Sequence, residues 1–246
     1  MRLKIAVSVV RSRPWAPFAL QGAAAFAILF ACFAYPAHAD EAEDFEICSG
    51  RRSVPNDERL RVCDRLIDSN MSLQKKALAY CNRSIAHRVN GNQAEAMKDV
   101  DTSVSLNSDP YSSLLCRAFQ YDYSGEFDRA LADYDKAIAF DQRRHEAYIG
   151  RGRVYMRKND PTHALDDFKK ATNIDPKSSI AFTGRGSAEF QLKIYDEAIE
   201  SFTTSIRLDP KRVAAYEGRG SAYKAKGDEE HAKSDFAEAL RIKTGH

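Results

Sequence analysis

An all-α solenoid of stacked helical hairpins is the fold this sequence predicts, and three observations carry it. The stretch His145–Ser178 sets Tyr148, Gly152, Tyr155, Ala164, Phe168 and Ala171 at helical spacing on two segments, with Asn159-Asp160-Pro161 as the turn between them. The pattern then recurs at a period of 34 over the units 77–110, 111–144, 145–178, 179–212 and 213–246. No convincing strand pattern interrupts these units. Self-similarity at this period is the mark of hairpins that bury one another's faces.

Each unit has a physical reason for its shape. Two antiparallel helices approach closely only where small side chains meet, and Gly152 and Ala164 are placed to form that contact. Tyr148, Tyr155 and Phe168 fill the space beside it, and Asp175-Pro176 ends the second helix because proline lacks the amide donor and clashes with the preceding turn. One period on stand Phe182, Gly186, Ala198, Phe202, Ser205 and Pro210, and after them Tyr216, Gly220, Tyr223, Gly227, Ala232, Phe236 and Ala239. Going backward gives Leu114, Ala118, Tyr121, Gly125, Ala130, Tyr134 and Ala137, then Tyr80, Ser84, Gly91, Ala96, Val100 and Ser103.

In these residues the sequence resembles the tetratricopeptide repeat family, over 170 of its 246 positions. The resemblance implies a right-handed α-solenoid whose first helices line a concave, partner-binding groove. Two departures stand out. Arginine replaces the usual leucine in every unit (Arg83, Arg117, Arg151, Arg185, Arg219), and Glu189 replaces an aromatic. Aspartates one place before the second-helix Phe position (Asp99, Asp133, Asp167, Asp235) predict a ladder of structural arginine–carboxylate pairs.

The remainder of the chain divides in two. Residues 1–39 read as a signal peptide: Arg2, Lys4, Arg11 and Arg13, an apolar run from Ala16 to Ala34, and a small-x-small site ending at Ala39. An uncleaved anchor and lipidation at Cys32 stay open as alternatives, and only these would bring the protein to a membrane. Either way the repeats lie on the exported side, in the periplasm or beyond. Taking those four cations from the formal +2 leaves −2 on the mature chain, its charges interleaved, which does not suggest a nucleic-acid partner.

Residues 40–76 form an N-terminal segment and cap. The acidic run from 40 to about 46 is expected to lack structure, and 44–73 to form a degenerate helical pair covering the first unit. Cys48 and Cys63 are placed to brace that pair with a disulfide. Cys81 and Cys116 lie on first helices of neighbouring units, where axes about 8–10 Å apart make a bond the less favoured reading. At the other end, Lys233 takes the place held by Met97, Leu131, Leu165 and Ile199, so the array is expected to end there as a monomer.

Function is then a matter of surface. The resemblance puts Ile85, Arg88, Leu115, Phe119, Tyr123, Arg153, Met156, Arg157, Phe190 and Lys224 on the groove, apolar and aromatic in its first half with cations farther along. That combination suits a protein or peptide with apolar anchors and an acid. A chaperone-tail clamp is disfavoured, because the places for its lysine and asparagine hold residues such as Cys81, Ile85, Leu115 and Phe119. No cofactor, metal site or catalytic set is expected: the histidines are scattered, and Gly-Arg-Gly at 150–152, 184–186 and 218–220 falls mid-helix rather than in a phosphate loop. The sequence therefore predicts a non-catalytic exported scaffold, with a structural subunit of an envelope or secretion assembly as the alternative.

Overall fold

The computed structural model describes residues 37–106 and 109–245. Residues 1–36 of the predicted leader, Cys32 among them, lie outside, and its last three residues open the first helix. Twelve helices and no strands occur among the described residues: α1 (Ala37–Cys48), α2 (Asn56–Asp68), α3 (Leu73–Val89), α4 (Gln93–Ser105), α5 (Pro110–Tyr123), α6 (Phe127–Phe140), α7 (His145–Arg157), α8 (Pro161–Ile174), α9 (Ser179–Gln191), α10 (Tyr195–Leu208), α11 (Val213–Ala225) and α12 (Glu229–Thr244). None is long and apolar enough to cross a membrane.

Local chemistry sets the helix ends. Pro110 and Pro161 occupy first-turn positions where no amide donor is needed, behind the N-caps Asp109 and Asp160. Inside each hairpin one residue is left-handed, at 34-residue intervals: Gly91, Gly125 and Gly227, but Asn159 (φ 60°) and Lys193 (φ 62°) in the other two. Glycine takes this conformation without a Cβ clash, whereas Lys193 holds it against one.

Every helix packs on the next, and the first helices α3, α5, α7, α9 and α11 also touch the first helix of the neighbouring hairpin. The second helices make no such contact with one another, so the first helices form the tighter, inner layer. Small residues permit this closeness. A Cβ on Gly152 would stand 3.1 Å from Phe168 Cζ and 3.3 Å from the Ala164 carbonyl oxygen. The first glycine of each Gly-Arg-Gly is tighter still. A Cβ on Gly150, Gly184 or Gly218 would overlap the ring of Tyr134, Phe168 or Phe202 from the preceding hairpin.

The arginine column is a structural ladder. Arg83, Arg117, Arg151 and Arg219 each donate through Nε and Nη2 to both oxygens of Asp99, Asp133, Asp167 and Asp235, at 2.6–3.0 Å. Nη1 of three of them crosses to the preceding hairpin or the cap, onto Asp64, Asp101 and Asp135. The carboxylate bonds hold Arg83, Arg117 and Arg151 well above the ordinary guanidinium value. Burial lifts the Asp167 carboxyl despite Arg151, and the bidentate geometry belongs to the charged pair. The fourth repeat solves the same problem differently. Ser201 stands where the others have aspartate, and buried Glu189 accepts from Arg185 Nε at 2.8 Å and from Ser201 Oγ at 2.7 Å. The departure at Glu189 is thus the compensation for the missing acid at 201.

Two expectations are corrected at the N-terminal end. Residues 40–46 are helical, not unstructured, because α1 packs Phe45, Ile47 and Cys48 against Val62, Cys63 and Leu66. Its acids also meet bases: Asp44 with Arg65 at 2.8 Å, Glu46 with Arg51 at 3.1 Å, and Glu41 and Glu43 with Lys75 and Arg52. Cys48 and Cys63 sit at disulfide distance with Cα atoms 5.1 Å apart. So do Cys81 and Cys116, Cα atoms 6.0 Å apart, where free thiols were the favoured reading. Axis separation misleads here. Each Cα lies about 2.3 Å off its axis, so facing Cα atoms on axes about 10 Å apart approach within bonding reach.

Two outcomes follow from this packing. Gly184→Ala should cost about 1–3 kcal/mol in urea unfolding, more than Gly152→Ala, because Phe168 must leave its place. Equal costs would mean the ring yields freely. Glu189→Ala should cost about 2–3 kcal/mol, and adding Ser201→Asp should recover about half by restoring the Arg-to-Asp spacing of the other repeats. A double variant no more stable than the single one would refute that compensation.

Candidate functional site

The inner layer opens into an apolar pocket of about 380 Å³ between α3, α5 and α7. Ile85 from α3, Leu115 and Phe119 from α5, and Ile149 from α7 form its walls, with the Cys81–Cys116 bridge set among them. Tyr134 of α6 reaches the pocket from the second layer through the space left by Gly150. Burial pushes the Tyr134 phenol up to about 12, so it stays neutral. Ser112, Glu146 and Arg153 supply the polar lining.

A cluster of arginines borders this pocket. The Arg88 guanidinium carbon lies 4.8 Å from the Phe119 ring centre and 4.5 Å from that of Tyr123. Arg153 approaches Phe119 as well, at 5.2 Å. Arg153 and Arg157 converge on Asp122, which is only 3 % exposed, at 2.8 and 2.6 Å. Glu146 accepts from the Tyr111 hydroxyl at 3.3 Å and lies 3.6 Å from Arg144. Burial, the largest cause, raises the Tyr111 phenol to about 12.

Of the groove residues predicted from sequence, Ile85, Leu115, Phe119 and Arg153 meet in this pocket, with Arg88 and Tyr123 stacked beside Phe119 and Arg157 joined to Arg153 through Asp122. Three others lie elsewhere. Met156 packs against Ala164, Leu165 and Phe168 in the next core cluster, and Phe190 packs against the Ala198–Phe202 cluster and the Tyr195 ring. Lys224 is exposed in the last turn of α11. Sequence reasoning missed Tyr134, Gly150 and the disulfide as pocket components, and missed Asp122 as a shared carboxylate. The one available signal was the glycine place of Gly150, which holds Cys116 in the preceding unit.

Tetratricopeptide repeat models match residues 120–179 and 213–246, and a TPR repeat model matches 186–227. The chain belongs to the tetratricopeptide repeat family. Solved structures of similar fold include MamA from Desulfovibrio magneticus RS-1, at 19% identity and TM-score 0.59 over 71% of this chain and 99% of that one. A tetratricopeptide repeat protein from Parabacteroides merdae is 21% identical, TM-score 0.61, over 83% and 79%. YrrB, described as a TPR protein with an unusual peptide-binding site, is 20% identical, TM-score 0.53, over 75% and 93%. At these identities the likeness is one of fold. No curated protein matches the sequence.

Asp122→Asn should lower stability by about 1–2 kcal/mol, since two half-exposed guanidinium groups lose a shared carboxylate. An unchanged unfolding curve would show that Asp122 contributes nothing to the packing of α5 on α7.

Proposed function

We propose that this tetratricopeptide repeat protein is a non-catalytic exported scaffold that holds a protein or peptide segment on its inner face. The supporting observation is the apolar pocket between α3, α5 and α7, open to solvent and bordered by arginines. A side chain entering it would exchange water for Ile85, Leu115 and Phe119, and such small, well-walled pockets carry most of the energy of peptide recognition. The leader-like first segment and the two cysteine pairs at disulfide distance agree with an oxidising, exported setting. YrrB's printed description offers a parallel for peptide binding on this fold.

Assembly through the outer face is the second reading, favoured by Phe140, which is 61 % exposed at the end of α6. Photo-crosslinking separates the two. A benzoylphenylalanine at Tyr123 should capture a partner in the native compartment, and Leu115→Asp should reduce the yield at least about tenfold. Crosslinks arising only from the same probe at Phe140 would transfer the function to the outer face.

A further inference from the structure

The three arginines beside the pocket are not equivalent. Arg153 and Arg157 share the buried carboxylate of Asp122. Arg88 has no carboxylate, carbonyl or hydroxyl partner among the described residues, and its Nε is buried without a hydrogen bond. What it has is two aromatic rings, Phe119 and Tyr123, at 4.8 and 4.5 Å. Rings attract the cation and restrict its motion, yet they provide no oxygen for its N–H donors. An immobilised guanidinium with unused donors has already lost the freedom that pairing would otherwise cost it. Its location is also telling. Phe119 is at once a wall of the pocket and the ring against which Arg88 rests.

We propose that Arg88 receives an aspartate or glutamate side chain of the partner, whose neighbouring apolar side chain fills the pocket behind Phe119. This rests on the inner-face reading above and adds the partner's chemistry to it: an internal peptide segment with an acid beside an apolar anchor. Charge agrees, because Asp122 is taken up by Arg153 and Arg157 and the pocket carboxylate Glu146 lies beside Arg144, which leaves the charge of Arg88 unmatched. An internal acid suits the site better than a chain terminus, since Arg153, the cation that lines the pocket and shares the Phe119 ring, is already paired with Asp122 and leaves Arg88 alone to meet a carboxylate.

The test uses the mature chain and a positional library of fluorescein-labelled nonapeptides, acetylated and amidated, with leucine at the centre and glutamate or glutamine at each flanking place. Anisotropy titration should find at least one position at which glutamate binds about tenfold more tightly than glutamine. Arg88→Gln should abolish that preference, so that glutamate and glutamine peptides bind within about twofold of each other. Arg88→Lys should keep a part of it, and Tyr123→Ala should weaken it without unfolding, the side chain being largely exposed. Binding with no acid preference, a preference that Arg88→Gln leaves intact, or one that appears only with a free C-terminus overturns the assignment of Arg88 and leaves the inner-face reading standing. Failure of every peptide to bind, or binding indifferent to Leu115→Asp, overturns both.

Discussion

A single hairpin of this protein cannot bury its own apolar face, and everything else in the structure answers to that constraint. The second helix of one hairpin presents Tyr134, Phe168 or Phe202 to the next, and the next accepts the ring only where it has glycine at 150, 184 or 218. The contact is reciprocal in effect: the ring is covered, and the receiving hairpin gains the packing atoms that it lacks. Repetition at a fixed period follows, because each interface must present the same shape to its successor.

The polar ladder obeys the same logic. Four arginines each clamp a buried aspartate of their own hairpin, and three of them reach back to an acid before it. A half-buried guanidinium also needs its carboxylate, so serine at 201 would leave Arg185 unpaired, and Glu189 supplies the acid from the first helix. The exchange explains why an aromatic position of the repeat holds a glutamate in one unit alone.

The same inner layer that closes the stack leaves an open apolar pocket. First helices stand close enough for Cys81 and Cys116 to meet, and their apolar side chains converge on one pocket rather than along a uniform stripe. Chemistry at its edge divides between arginines already matched with Asp122 and one held only by rings. Shape and unspent charge are what the proposed reading draws on at this place.

The hairpins, their turns, the small-residue contacts and the arginine–aspartate ladder were legible in the sequence, because each depends on spacing along one helix or between two adjacent ones. Glu189 was legible as a departure, but not its bond to Ser201, which requires knowing how two helix faces turn toward each other. The helical state of residues 40–46 escaped because an acidic run looks solvated until Arg65, Lys75 and Arg52 are seen opposite it. Likewise the groove list was read one helix at a time, so it could name Ile85, Leu115 and Phe119 without Tyr134 behind them, and could not distinguish Arg88 from Arg153. Which hairpins exist is a question of local periodicity, answered by residue order. Which side chains are left without a partner is decided by packing between hairpins, and that is a property of the assembled stack.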